Sequence, residues 1–472
     1  MKLEKKKVWI VVITVQAKDS RGGYMMGRIF GTDGVRGEAN SQLTPELAFQ
    51  LGRAAASLLR DKKEGKQAIV IGRDTRISGD MLEGALIAGV CSAGIDVYRV
   101  GVMPTPAIAY LTRELKAISG VVISASHNPA SDNGIKFFDY QGYKLPDELE
   151  DQIEDLIDNG VEQLPYPTGA EIGRVKEIKN GLDLYLEFVK KIIKVDLKGL
   201  KIVVDCANGA ASEITPRLLR ELGADVINAF DQPDGLNINK DCGSTHMDAL
   251  QKLVLKEKAD LGIAHDGDAD RVLFVDAKGN LVDGDQVLVI CGLDLLREGA
   301  LKKDTVVVTV MSNLGLKQAL VKNGVKVEET KVGDRYVLER MREVGAIIGG
   351  EQSGHVIFLE HNTTGDGIVT ALKLLEVMQK TGKSLEELAS QMEKLPQVLL
   401  NVRVKDKRDW EKNKAIRDVV ALREKLLGDK GRILVRASGT EPLIRVMAEG
   451  NDLEELQQVT KEIAKVVEEE LN

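Results

Sequence analysis

A strand, a polar loop, a helix, a glycine and a second strand follow one another three times in this 472-residue chain. The first copy runs from Ala68-Ile69-Val70-Ile71-Gly72 through a helix around Met81–Cys91 and Gly94 to a strand over Asp96–Val100. The second starts at Lys201-Ile202-Val203-Val204-Asp205 and passes Asn208-Gly209, a helix over Thr215–Leu222 and Gly223 to Ala224–Ile227. The third starts at Thr305-Val306-Val307-Val308, followed by Ser312-Asn313, a helix to Val321, Gly324 and Val325–Val327. Each copy is a βαβ unit, whose crossover is normally right-handed. Three copies roughly a hundred residues apart imply three related α/β domains, and the chain is too long for a single core. After Leu395-Pro396 the pattern changes to an alternating strand (Val398–Val404), a strand at Ile433-Leu434-Val435 and a capped amphipathic helix over Asp452–Leu471. The expected fold is α/β, three related domains with mixed sheets plus a smaller α+β C-terminal domain. The expected divisions are 26–180, 181–278, 279–395 and 396–472.

The polar loops between these strands carry the chemistry. Gly120-Val121-Val122-Ile123 ends in Ser124-Ala125-Ser126-His127-Asn128-Pro129, and Lys136 follows ten residues after Ser126. Pro129 keeps Asn128 out of helical geometry, so Ser126 and His127 are expected at a strand end, where open α/β sheets bind ligands. Phe30-Gly31-Thr32-Asp33-Gly34-Val35-Arg36-Gly37 is a glycine-rich turn whose Arg36 suits phosphate. Thr44-Pro45 then opens a helix, with Thr44 at its N-cap.

His265-Asp266-Gly267-Asp268-Ala269-Asp270 lies between the strands Leu261–Ala264 and Arg271–Val275. Three alternating carboxylates repel one another unless a cation gathers them, and hard oxygen ligands suit Mg²⁺. An EF-hand is excluded, because its sixth position holds no glycine and Ala277 stands where the bidentate Glu belongs. Lys331-Val332-Gly333-Asp334-Arg335 precedes Gly349-Gly350-Glu351-Gln352-Ser353-Gly354-His355, a loop with hydroxyl-binding and proton-transfer groups. Four of the five histidines (127, 246, 265 and 355) fall in polar loops. Gly382-Lys383-Ser384 is no P-loop, since Val377 replaces its first glycine; it reads as a helix end and the capping box Ser384-x-x-Glu387. Arg436-Ala437-Ser438-Gly439-Thr440-Glu441-Pro442, with Arg445 beyond it, makes an anion cradle.

Five of these loops, in this order, resemble those of the α-D-phosphohexomutase family from Met26 to the C-terminus. Ser-Ala-Ser-His-Asn-Pro matches the active-site serine loop, usually T-A-S-H-N-P, with Ser124 replacing the first Thr. The resemblance implies that Ser126 carries a phosphoryl group. It also implies that Asp266, Asp268 and Asp270 hold Mg²⁺ with a phosphoserine oxygen, with Arg271 beside them. Arg36 and His127 fall in the active site, and Lys136 and His355 are candidate general acids or bases, Lys136 being placed nearer the reacting oxygen. Glu351 and Ser353 match sugar-hydroxyl contacts, while Arg436, Ser438, Gly439, Thr440 and Arg445 match the phosphate-binding loop. The G-E-Q-S-G-H form resembles that of members acting on glucosamine phosphates, whereas bifunctional phosphomannomutase/phosphoglucomutase loops commonly read G-E-M-S-G-H. The implied reaction interconverts glucosamine 6-phosphate and glucosamine 1-phosphate through a bound bisphosphate, for UDP-N-acetylglucosamine and cell-wall precursor synthesis. Neutral-sugar mutase activity is the alternative, and a non-catalytic sugar-phosphate binder a more distant one.

The net charge of −8 argues against a nucleic-acid partner. Four scattered cysteines with no C-x-x-C pair suit reduced thiols and a cytoplasmic location. Lys5-Lys6-Lys7 and Val8 to Val15 mimic a signal peptide, but the apolar stretch is too short to span a bilayer, so no membrane partner is expected. Residues 1–25 read as an extension outside the fold. A sugar phosphate is the expected ligand; a homodimer is carried as an expectation that the sequence does not decide.

Overall fold

The structure, a computed structural model, describes residues 28–31, 33–60, 66–428, 431–438 and 442–472. The N-terminal extension, Gly439 and Thr440 therefore lie outside the described residues.

The three repeats fold as expected, each around a mixed sheet. In the first, Ala68–Arg73 pairs in parallel with Asp96–Val102 on one side and Ser119–Ile123 on the other, and Asp132–Asp139 then pairs antiparallel with Ser119–Ile123. Gly34–Glu38 and Phe30–Gly31 extend this sheet at one edge and Val175–Glu177 at the other. In the second, Lys201–Asp205 lies between Asp225–Ala229 and Leu261–His265, and Val272–Asp276 runs antiparallel to the latter. In the third, Thr305–Thr309 lies between Lys326–Thr330 and Ile348–Gly350, with Val356–Phe358 antiparallel beyond. The parallel strand next to the centre thus always turns back on itself. Its turn carries the serine loop in one domain, the aspartate loop in the next and the Glu351–His355 loop in the third.

Buried sheets explain the apolar runs. Ile69 and Ile71 enter one core with Val121, Ile123 and Phe137. The intervening Val70, Val122 and Phe138 enter another, as strand alternation requires when both faces are covered. This second core is continuous through the first three domains, reaching Val204, Ile263, Phe274, Val306 and Ile348. The C-terminal domain has its own core on a three-stranded antiparallel sheet, Gln397–Arg403, Leu443–Gly450 and Gly431–Ala437, covered by the helix Leu453–Leu471.

Local signals hold at several ends. Thr44 accepts from the Leu47 N–H at 3.3 Å, and Ser384 and Glu387 form the reciprocal capping box. One helix departs from its expected start: it spans Ala211–Glu221 and keeps Pro216 inside rather than beginning at Thr215. The turn Gly209-Ala210 already supplies its entry, with Ala210 N–H donating to Gly267 at 2.8 Å.

Candidate active site

The serine loop is held open by its neighbours. Ser126 has φ of +51°, a left-handed conformation rare for a non-glycine residue, and such strain persists only where the surroundings fix it. Ser124 Oγ donates to Asp74 at 2.6 Å and accepts the Ser126 N–H at 2.9 Å. The fully buried Arg76 donates to Asp74 and to the carbonyls of Ser126, Asn128, Pro129 and Asp132. From the second domain, Asn239 Nδ2 reaches the Ser126 and Asn128 carbonyls at 2.8 and 3.1 Å. Gly267 completes the joint: a Cβ there would lie 2.6 Å from the Ser126 carbonyl oxygen.

So held, Ser126 Oγ donates to Asp266 Oδ2 at 2.6 Å. Asp266, Asp268 and Asp270 are buried, and one oxygen from each lies within 4.8 Å of the others. Asp268 Oδ2 accepts from Thr105 Oγ1 at 2.6 Å and from Lys136 Nζ at 3.1 Å. Asp268 Oδ1 and Asp270 Oδ1 are buried with no hydrogen-bond partner. Burial and then the neighbouring carboxylates push Asp266 well above the usual range, and they raise Asp270 as well. Burial also opposes ionisation of Asp268, but Lys136 and the Thr105 hydrogen bond together outweigh it and hold this carboxyl low. Hard oxygens, mutual repulsion and two orphaned acceptors fit a divalent cation such as Mg²⁺.

The cations around this cluster have fixed partners. Lys136 is buried between Asp268 and Asp33, whose Oδ2 lies 2.9 Å from Nζ. Burial lowers its proton affinity, yet the two carboxylates more than reverse this, so Lys136 stays charged. Arg36 also pairs with Asp33. His127 Nδ1 lies 3.2 Å from Arg271 Nη1 and 3.4 Å from Ser126 Oγ. Burial, followed by the Arg271 and Arg36 charges, lowers its pKa to about 4, leaving a neutral imidazole at neutral pH. His355 is buried, with neither ring nitrogen hydrogen-bonded, and its Nε2 lies 3.6 Å from Asp334. An isolated antiparallel bridge joins His355 to Arg271, so Arg271 precedes the strand in which it was expected.

A cleft of about 490 Å³ opens over these groups, lined by Arg36, His127, Asp270, Arg271, Glu351 and His355 among others. Ser353 and Gln352 do not line it. They face a neighbouring groove with Lys394, Leu395 and Pro396. In the C-terminal hairpin Arg436 stands opposite Arg445, and burial, then the Arg445 charge, lowers its proton affinity. Ser438 N–H donates to the Leu443 carbonyl at 2.9 Å. These three residues form one end of that hairpin and do not line the cleft. His265 also corrects the expectation of a polar loop. It ends the strand Leu261–His265, fully buried, with Nε2 3.1 Å from Thr215 Oγ1.

Sequence reasoning passed over Asp74, Arg76, Thr105 and Asn239, which position the serine and aspartate loops. It also passed over Asp33, Lys144 and Asp334, which form a charged chain in which Lys144 pairs with both carboxylates. Three charged residues at the end of a buried strand, Arg73, Asp74 and Arg76, were the available signal.

Comparison with known proteins follows the same division. Models for the three alpha/beta/alpha domains of phosphoglucomutase/phosphomannomutase match residues 27–164, 183–279 and 283–395, and the C-terminal domain model matches 399–466. The chain belongs to the phosphoglucomutase/phosphomannomutase family. This phosphohexomutase is 61% identical over 442 residues to the phosphoglucosamine mutase of Desulforamulus reducens, covering 94% of this chain and 99% of that one. It is 62% identical over 444 residues to that of Carboxydothermus hydrogenoformans, covering 94% and 100%. A phosphoglucomutase/phosphomannomutase family protein from Burkholderia thailandensis superposes with a TM-score of 0.79 at 26% identity, covering 95% of this chain and 99% of that one. The fold is also that of the Aspergillus fumigatus N-acetylphosphoglucosamine mutase in complex with GlcNAc-6P and magnesium (TM-score 0.68, 20% identity, 94% and 96% covered).

Proposed function

We propose that this phosphohexomutase interconverts glucosamine 6-phosphate and glucosamine 1-phosphate, supplying amino-sugar phosphate for cell-wall precursors. The observation that carries the reading is Ser126 Oγ, strained, buried and hydrogen-bonded into the carboxylate cluster. The relatives' identity of about 60% along nearly the whole chain supports the amino-sugar branch.

Phosphoryl transfer depends chiefly on charge neutralisation and alignment. Phosphorylated Ser126 gives its phosphoryl group to the free sugar hydroxyl: the bond from phosphorus to Ser126 Oγ breaks as the bond to the sugar oxygen forms. The bisphosphate turns over in the cleft and returns its other phosphoryl group to Ser126. Asp266, Asp268 and Asp270 would hold Mg²⁺, which when bound neutralises charge on the transferring oxygens. Lys136, fixed as a cation by Asp33 and Asp268, supplies a positive charge or a proton at the same place. His355 has free ring nitrogens at the cleft and suits proton transfer on the sugar side. Arg36 and Arg271 attract phosphate, Glu351 meets sugar hydroxyls, and Ser353 joins it if the loop turns inward. The distant phosphate falls to Arg436, Ser438, Gly439, Thr440 and Arg445.

The domain limits given above, a cytoplasmic location and a homodimer are part of this reading. Four free cysteines are compatible with a reducing compartment. Among the described residues no helix is long and apolar enough to cross a membrane. A coupled assay with glucosamine, glucose and mannose phosphates tests the substrate, and preference for either neutral sugar refutes the amino-sugar assignment. Peptide mass spectrometry tests the nucleophile: one phosphate should map to Ser126, and a Ser126→Ala protein with normal turnover refutes it.

A further inference from the structure

The cleft is electrically lopsided. Arg28, Arg36 and Arg271 line it from the first two domains together with Asp33 and Asp270, whereas the third domain contributes Asp334, Glu351 and His355 and neither lysine nor arginine. A ligand with a phosphate at one end and a cation at the other fits that polarity. Amino-sugar phosphates have that character, because their amine is an ammonium at neutral pH and below, while neutral hexose phosphates lack it.

Gln352, the residue of the sugar loop that distinguishes its sequence form, faces the other groove and cannot read the 2-position from there. Among the carboxylates at the cleft, Asp33 is already shared by Arg36, Lys136 and Lys144, and Asp270 belongs to the metal cluster. Glu351 accepts the Gly333 N–H at 3.1 Å and lies within the field of Arg271. Asp334 Oδ1 likewise accepts a backbone N–H, that of Arg335 at 2.8 Å, but Asp334 faces two cavities. Its side chain is 19% exposed, at the junction of this cleft with the adjoining cavity between the first and third domains. Its salt-bridge partner Lys144 also pairs with Asp33, so Lys144 keeps a counter-charge when Asp334 turns to another cation. The unpartnered imidazole of His355 stands beside it, ready for a neighbouring hydroxyl. Burial raises the Asp334 carboxyl, but the charge and hydrogen bond of Lys144 together with His355 outweigh it and hold the group below the usual range.

We propose that Asp334 is the specificity-determining residue that receives the 2-ammonium of an amino-sugar phosphate, while Glu351 serves hydroxyls common to all hexose phosphates. The inference rests on the amino-sugar reading above and names the group that enforces it. The test compares kcat/KM for glucosamine 6-phosphate and glucose 6-phosphate, at one activating bisphosphate concentration, in wild type, Asp334→Asn and Glu351→Gln. Asp334→Asn should lower the glucosamine value at least about tenfold and leave the glucose value within about threefold, because only the amine loses its partner. Glu351→Gln should lower both together. A parallel fall of both substrates in Asp334→Asn overturns the proposal and leaves Asp334 an anchor for Lys144. A wild-type preference for glucose 6-phosphate overturns the substrate reading itself, and this inference with it. If Asp334→Asn does not fold, the wild-type ratio of the two values against pH decides. It should fall as the substrate amine deprotonates, and a flat ratio overturns the proposal. The groups facing Asp334, namely Asp33 and Lys144 from the first domain and His355 from the third, act on both substrates and cancel in that ratio.

Discussion

Arg76→Lys probes whether the serine loop is built by its supports. The native guanidinium makes five contacts: Asp74 Oδ2 at 2.8 Å and four loop carbonyls, three of them at 2.8 to 2.9 Å. An ammonium has three donors at a single point and cannot span this fork. The Ser126 and Asn128 carbonyls retain Asn239 and the Pro129 carbonyl retains the Asp132 N–H, so the uncompensated loss falls mainly on the Asp132 carbonyl. One half-buried acceptor deprived of its partner costs about 1–3 kcal/mol, the lower end being expected where water can reach it. Arg76→Met should be harsher, because it leaves the fully buried Asp74 without its cation, a loss of about 3–5 kcal/mol on that account alone. The functional effect is separable. The left-handed Ser126 conformation stores about 1–3 kcal/mol, and an ångström of displacement at a reacting group can lower the rate about a hundredfold. Urea unfolding and kcat/KM, with phosphoserine occupancy measured by mass spectrometry, give the two readouts. An Arg76→Lys protein that unfolds and turns over like wild type would refute the reasoning.

Three further outcomes are expected. Asp270→Asn should weaken Mg²⁺ binding at least about tenfold by calorimetric titration while the protein stays folded, and unchanged affinity would remove the cluster as the metal site. Burial raises the pKa of Asp205 to about 6 against the ordinary 3.8, so the folded state binds the extra proton and stability falls as pH rises through that interval. Urea unfolding should show wild type losing roughly 2 kcal/mol more than Asp205→Asn between pH 4 and 7, and parallel curves would contradict this. Glu449, fully buried, accepts from Arg432 Nε at 2.7 Å, Leu314 N–H at 2.8 Å and Gln397 Nε2 at 3.0 Å. Glu449→Ala should loosen the C-terminal domain by about 3–5 kcal/mol, seen as a separate unfolding step and faster cleavage around residue 396. A single unaltered transition would show that the contact is dispensable.

The repeats were legible because their strands are covered on both faces and read as unbroken apolar runs such as Ile69-Val70-Ile71. The aspartates were legible because three carboxylates in one short turn have few other uses. What escaped notice depends on partners distant in sequence. Arg76 looks like any charged turn residue until the loop fifty residues later folds over it. Lys144 and Asp334 meet across a domain boundary, and neither position shows periodicity. His265 was grouped with the acids that follow it, but strand alternation turns its ring inward onto Thr215. In the sugar loop, Glu351 and Ser353 are two residues apart, yet the turn sends them to different openings.

The attachment of the C-terminal domain has a mechanical corollary. Arg432, near the start of Gly431–Ala437, is tied to Val310 and Ser312 of the preceding domain and to Glu449. Ser438 lies six residues along the same hairpin, about 20 Å at the rise of an extended strand. Glu449 therefore ties one end of this hairpin to the preceding domain, while the other end is held within its own domain, Lys407 Nζ donating to the Ser438 carbonyl at 2.6 Å. Were the domain to swing roughly 10° about that anchor, Ser438, roughly 20 Å away, would move about 3–4 Å. The apolar core of this domain is separate from that of the first three and would travel with it. Such a swing would break no strand pairing, because the three strands and their core would move as one body.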